Sequence, residues 1–153
     1  MSDLERIAYD NALRALDKQE KVLEELRART GLLLAASSLA ASLLGSRAFD
    51  DLHPVLLLVV ALTAFGTSLA ASVFVLLPRE EIVFALDGAA VYERLYSFRD
   101  DSAEVHRRLA YDLRRFHDAN DVLTRPVRQA FRVAAGSLVI EVLALALLAA
   151  GIV

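Results

Sequence analysis

The sequence predicts an all-α integral membrane protein, three transmembrane helices with a cytoplasmic helical bundle. Three observations predict it. The 153 residues are 56% hydrophobic, too apolar for an ordinary soluble domain of this length, yet 24% are charged. The charges are segregated: apart from Glu141, no Asp, Glu, Lys or Arg falls in residues 30–46, 52–78 or 133–153. Within those blocks the apolar residues cover every side of a helix rather than one stripe, which argues against the alternative of a soluble three-helix core.

Residues 1–30 form the first element, a cytoplasmic amphipathic helix. Its apolar stripe runs through Tyr9, Ala12, Leu16, Leu23 and Leu26, close to a heptad seam, with Leu13 and Val22 on the flanks. Lys21 with Glu25 and Glu25 with Arg29 are pairs four apart on the outer face. No breaker separates Leu26 from Leu32, so the helix is expected to run straight into the next element. This charged leader is far longer than the n-region of a cleavable signal peptide.

Residues 31–46 are expected to be transmembrane helix 1. The uncharged stretch around them, rich in Ala and Ser, reaches only roughly 26 Å as a helix, so it crosses with local thinning of the bilayer or snorkelling of Arg29 and Arg47. Residues 54–78, PVLLLVVALTAFGTSLAASVFVLLP, give the strongest span, transmembrane helix 2.

Residues 79–131 are expected to be a cytoplasmic helical region. It opens with a helical turn, breaks at Asp87-Gly88 and continues as a short helix through Val91, Leu95 and Phe98. Asp101 and Glu104 stand at capping-box spacing before a longer helix, whose core face is Val105, Leu109, Leu113, Phe116, Asn120 and Leu123. Pro126 is expected to end or kink that helix, and a new one becomes transmembrane helix 3, residues 133–153.

Lys and Arg set the orientation. Six lie in residues 1–30, one (Arg47) between the first two blocks, and ten in residues 79–132. The positive-inside rule puts the N-terminus and the middle region in the cytoplasm of a bacterial inner membrane and the C-terminus outside.

Composition excludes several functions. There is no cysteine, hence no disulfide framework and no thiolate zinc site, and a net charge of −3 gives no case for a nucleic-acid partner. No phosphate-binding glycine loop, Ser-His-Asp set or HExxH motif is present. His106 and His117 share a helix face but stand three turns apart, too far to hold one metal ion. The chain is therefore not expected to be an enzyme or to carry a cofactor or metal.

Three features invite a role. Arg107, Arg108, Arg114 and Arg115 repeat at seven and form a ladder, either a solvated face paired as Glu104–Arg108, Arg108–Asp112 and Arg114–Asp118, or a site for an anionic lipid or phosphate-bearing trigger. Small residues recur at four: Ser37, Ala41 and Gly45 in the first span, and Thr63, Thr67 and Ala71 with Gly66 and Ala70 in the second. Such rows let helices approach closely, within one chain or between chains. Glu141 lies roughly 13 Å along the helix from Arg132, near mid-bilayer, where a carboxylate is costly and needs a partner. It is either a protonated clasp bonded to Ser137 or to hydroxyls of neighbouring spans, or one member of a ring of carboxylates lining a path in a homo-oligomer.

The arrangement resembles the small SLATT-type and Pycsar-type transmembrane effectors of bacterial antiphage nucleotide signalling. The resemblance rests on LDKQEKVLEELRARTGLLLAASSLAASLLG, on the second span ending LLPRE, and on HDANDVLTRPVRQAF, similar to the Asn-containing helix that ends the cytoplasmic region in that group. It covers roughly residues 10–132, and the third span with Glu141 departs from the two-span pattern. It implies a homo-oligomeric membrane effector, activated by a nucleotide signal or a partner protein, that depolarises or permeabilises the inner membrane. The alternative is a non-conducting membrane-anchored helical scaffold that binds a partner protein.

Overall fold

The computed structural model describes residues 3–48, 55–79, 82, 84 and 87–150. Among them every regular element is helical: α1 (Asp3–Ala48), α2 (Val55–Leu76), α3 (Gly88–Leu95), a single 3₁₀ turn (Tyr96–Phe98) and α4 (Ser102–Ala150). The helical turn expected at the start of residues 79–131 falls largely outside the described residues. The chain divides into two units, Met1–Glu24 with Arg79–Arg125, and Glu25–Pro78 with Pro126–Val153.

The first unit is built on the leader stripe and the start of α4. Leu16 and Leu23 are buried, with Tyr9 and Ala12 half-buried beside them, while Leu13 and Val22 stay exposed. The facing side of α4 is the expected one, with Leu113 and Asn120 fully buried and Val105, Leu109, Phe116 and Leu123 partly so. The Tyr9 and His106 rings lie 5.6 Å apart, and Gln19 Nε2 donates to the His117 carbonyl at 3.1 Å. Ten residues on α1 thus match eleven on α4 in the same sense, so the two helices run parallel here.

Local chemistry sets the ends of the shorter elements. The Asp87 carboxylate accepts from the Ala89 amide and caps α3, which buries Leu95. Asp101 Oδ1 accepts from the amides of Ala103 and Glu104 and so starts α4, as its spacing predicts. The reciprocal half of the box is not made. The Asp101 amide already donates to the Phe98 carbonyl, and the Glu104 side chain turns to Arg107 and Arg108.

The second unit packs three helices by sevens. α1 buries Thr30 and Ser37; α2 buries Ala61, Ser68 and Val75, with Ala64 and Ser72 between; α4 buries Val127, Ala134, Glu141 and Leu148. A seven-residue repeat keeps one seam facing its partners and lets side chains seat between those opposite. Ala61 packs with Ala144 and Leu145, and the Ser68 hydroxyl donates to the Ala134 carbonyl at 3.2 Å. Rising numbers on α2 thus meet falling numbers on α4, and the pair is antiparallel.

Two expectations are met only in part. Among the described residues, two helices are long and apolar enough by themselves to cross a membrane: α2, with mean hydropathy 2.1, and α4, reaching 2.3 over its most apolar stretch. Residues 31–46 instead form the end of the 46-residue α1, where Ala and Ser dilute the leucines. Pro126 does not end its helix, since α4 runs unbroken through it and joins the expected cytoplasmic helix to the expected third span. Proline removes one amide donor and crowds the preceding turn, leaving carbonyls there short of partners. Arg79 Nη1 donates to the Leu123 carbonyl in that turn at 3.5 Å. The small-residue row expected in α2 faces away from the other helices of its own chain. Thr63, Gly66, Thr67 and Ala70 lie on the exposed side of α2, because its buried stripe is the adjacent one through Ala61, Ala64, Ser68 and Ser72.

Candidate functional site

The seam of the second unit carries the site. Continuing the α4 series from Leu113 and Asn120 by sevens lands on Glu141, so the helical register itself turns this side chain inward. Its relative exposure is 0%. The Ser37 hydroxyl of α1 donates to Glu141 Oε2 at 2.6 Å, while Glu141 Oε1, equally buried, has no hydrogen-bond partner. Ser137, the partner expected from sequence, stands half-buried about 40° around the helix and does not make this bond. The seam points Glu141 at α1, and the serine already there meets it.

The neighbouring buried hydroxyls are handled differently. Thr30 Oγ1 donates to the Leu26 carbonyl at 2.7 Å, within its own helix. Ser72 is fully buried and its Oγ, like Glu141 Oε1, lacks a partner. Five polar side chains of this unit, Thr30, Ser37, Ser68, Ser72 and Glu141, are buried, while leucines such as Leu32, Leu39, Leu56 and Leu62 are exposed.

Of the expected packing residues, Ser37 is therefore a ligand of the buried carboxylate. Ala41 is half-buried on the same helix, and Gly45, also in α1, lies outside the residues whose surroundings are described. Thr63 Oγ1 turns back to the carbonyls of Val59 and Val60, and Thr67 Oγ1 to that of Thr63, so the exposed face of α2 is chemically quiet.

In the first unit the arginine ladder splits in two. Arg107 and Arg114, seven apart, line one cleft of about 590 Å³ together with Ala8, Ala12, Ala15 and Tyr111. Arg108 lies about 100° further round with its guanidinium 3.9 Å from the Phe98 ring centroid, and Arg115 is exposed. Glu104 takes both Arg107, at 2.8 Å, and Arg108, at 2.7 Å. Hydrogen bonds from Arg107 and then Arg108 hold the Glu104 carboxyl below the usual carboxylate range. The expected Arg108–Asp112 pair is replaced, because Asp112 is taken by Arg94 of α3. Arg114 sits 3.9 Å from Asp118. Arg107, Arg108 and Arg114 are thus paired with acids three or four apart, and the cleft that Arg107 and Arg114 line beside its alanines also holds Glu5 and Asp118.

Among the described residues no group of three His, Cys, Asp or Glu is placed to hold a metal ion. The sequence points to Glu141 and to a hydroxyl of a neighbouring span as one possible partner, which Ser37 is, but it does not single out Ser37 and gives no sign of the orphaned Ser72. Ser37 is legible only as a member of the seven-residue series that also buries Thr30. Compared with known proteins, the chain matches no family model, no curated protein and no solved structure.

Proposed function

We propose that this chain is a bacterial inner-membrane effector: its second unit stands in the bilayer as three spans, its first unit lies in the cytoplasm and receives a trigger, and copies associate to form or gate a conducting path. One observation carries the membrane part of this reading, the inverted polarity of the second unit. Its fully buried side chains include Thr30, Ser37, Ser68, Ser72 and Glu141, while Leu32 is 73% and Leu56 75% exposed. Only 22% of the apolar stretch of α2 and 28% of that of α4 is buried within the protein. Water would make such a surface costly; hydrocarbon makes it the stable one. Residues 31–46 share the pattern, with Leu39 and Leu43 exposed and Ser37 buried, which supports counting them as the third span.

The trigger is proposed to act at the cytoplasmic unit, where Arg107 and Arg114 flank the apolar cleft and suit a nucleotide signal or an acidic segment of a partner protein. The exposed Thr63, Gly66, Thr67 and Ala70 give copies a face on which helices approach closely. A second reading, the non-conducting scaffold, is favoured by a different observation: Glu141 is fully buried within the single chain, where Ser37 donates to it, and is not presented on its outer surface.

Membrane potential in cells expressing the wild type, Glu141→Gln and Glu141→Ala, at matched membrane abundance, separates the two. The effector reading expects loss of potential in the wild type and its restoration in the variants. Potential intact in all three, with the trigger supplied by co-expressing the neighbouring genes, would leave the scaffold.

A further inference from the structure

We propose that Glu141 is a proton-binding site reached from one end of the second unit only, the end that carries Arg27, Arg29, Arg128 and Arg132. The inference rests on the reading that this unit lies in a bilayer, but it requires neither conduction nor self-association.

The direction of each helix fixes which polar groups lie on which side of Glu141. α2 is antiparallel to α4, from the Ala61–Leu145 and Ser68–Ala134 contacts. α1 must be antiparallel to α2, because the short connection from Ala48 to Val55 cannot travel back along a helix of 22 residues, roughly 33 Å. α1 and α4 therefore run together, with Ser37 level with Glu141. Seven residues earlier on each, roughly 10 Å away, Thr30 is level with Ala134 and hence with Ser68. Ser72 follows roughly 6 Å further in the same direction.

Among the described residues, the four buried hydroxyls of the unit thus lie level with Glu141 or on its arginine-bearing side. On the other side, among the described residues, the buried side chains are hydrocarbon: Ala61, Ala144, Leu145 and Leu148. The orphaned polar atoms of the unit mark the ends of the hydroxyl file, Glu141 Oε1 at one end and Ser72 Oγ with Arg27 Nε at the other. A buried polar atom without a protein partner is where a water binds, given a second polar group within reach. Arg29 and Arg132 stand between the levels of Ser68 and Ser72, and Val75 with Val127 forms the next buried layer beyond Ser72. The step itself is simple: a hydronium in the file gives its proton to the carboxylate, leaving a carboxylic acid and water, and the reverse returns it.

The electrostatic surroundings of Glu141 are sparse. α2 contributes no titratable side chain at all, the nearest described charges on α1 are Arg27 and Arg29, and those on α4 are Arg128 and Arg132. No neighbouring group therefore competes for the proton at this depth.

The test uses the full chain in sealed membrane vesicles, right-side-out and inverted, with pH clamped separately on each side. Trypsin cleavage of the arginine-rich first unit identifies which side is the basic one. Dicyclohexylcarbodiimide crosses bilayers and adds only to the protonated carboxylic acid, so the N-acylurea adduct at Glu141, counted by mass spectrometry, reads its proton occupancy. Glu141→Gln is the blank. The expected result is an adduct rate that falls about tenfold for each pH unit raised on the basic side, once past the titration midpoint, and stays flat when pH is raised on the other side. A rate that follows the other side, both sides or neither overturns the proposal, and so does absence of adduct at low pH on both sides. Resistance of the same vesicles' protein to alkaline extraction reports insertion separately, so failure of the membrane reading is told apart from failure of the site.

Discussion

Ser37 gives Glu141 one hydrogen bond and leaves the second carboxyl oxygen bare, and this imbalance decides how substitutions there behave. Removing one partner of a buried pair leaves the other's desolvation uncompensated, at a cost of about 1–3 kcal/mol, whereas replacing both by apolar groups of similar shape is close to neutral. Ser37→Ala alone is therefore expected to destabilise the protein by about that amount, read as the midpoint of thermal unfolding in detergent. Ser37→Ala combined with Glu141→Leu is expected to recover most of the loss. A single variant as stable as the wild type would mean that the hydroxyl contributes nothing, and the clasp would have to be sought elsewhere on Glu141. The carboxylate itself was legible in the sequence as the one acid in an apolar block. Its partner was legible only as a class, a hydroxyl of a neighbouring span beside the alternative Ser137, because nothing local singles out a serine 104 residues distant.

At the scale of an element, α2 shows why a pattern of small residues does not say which face packs. Two such rows lie side by side on this helix, Thr63, Gly66, Thr67 and Ala70 on one face and Ala61, Ala64, Ser68 and Ser72 on the next, and composition alone does not rank them. The structure buries the second. The difference lies in the partner: only that row presents Ser68 to the Ala134 carbonyl and Ala61 to Ala144. The two faces are expected to respond oppositely to the same change. Ala64→Leu adds bulk to a packed seam and is expected to lower stability by about 1–3 kcal/mol. At Gly66 an added side chain meets nothing within 4 Å, so Gly66→Leu is expected to leave unfolding unchanged or slightly strengthened, since leucine favours the helix by up to about 1 kcal/mol over glycine. Should Gly66→Leu also reduce chemical cross-linking between copies in membranes, the exposed row is the face on which they meet; unchanged cross-linking removes it from that role. α4 teaches a related lesson. Pro126 reads as an end or a kink from sequence because the lost amide is local, but α4 continues through it as one 49-residue helix.

For the molecule as a whole, the all-helical class and the segregation of apolar from charged residues were legible because both follow from composition and period. The number of spans was not, because residues 31–46 are marginal by themselves and their placement depends on helices that come later in the chain. α1 buries Ser37 against Glu141 and turns Leu32, Leu39 and Leu43 outward, so its end is suited to hydrocarbon only when α4 is there to take its polar face. That dependence has a measurable consequence. A topology reporter fused after residue 50 with the remainder of the chain deleted leaves Ser37 without its partner, and the segment is expected to remain largely on the cytoplasmic side. The same reporter inserted between Ala48 and Val55 of the full chain is expected to read outside, because α2 and α4 are then present to complete the bundle. Agreement between the two fusions on the outside would show that residues 31–46 insert unaided. Agreement on the cytoplasmic side would reduce the protein to two spans and remove α1 from the bilayer, and with it the depth at which Ser37 meets Glu141.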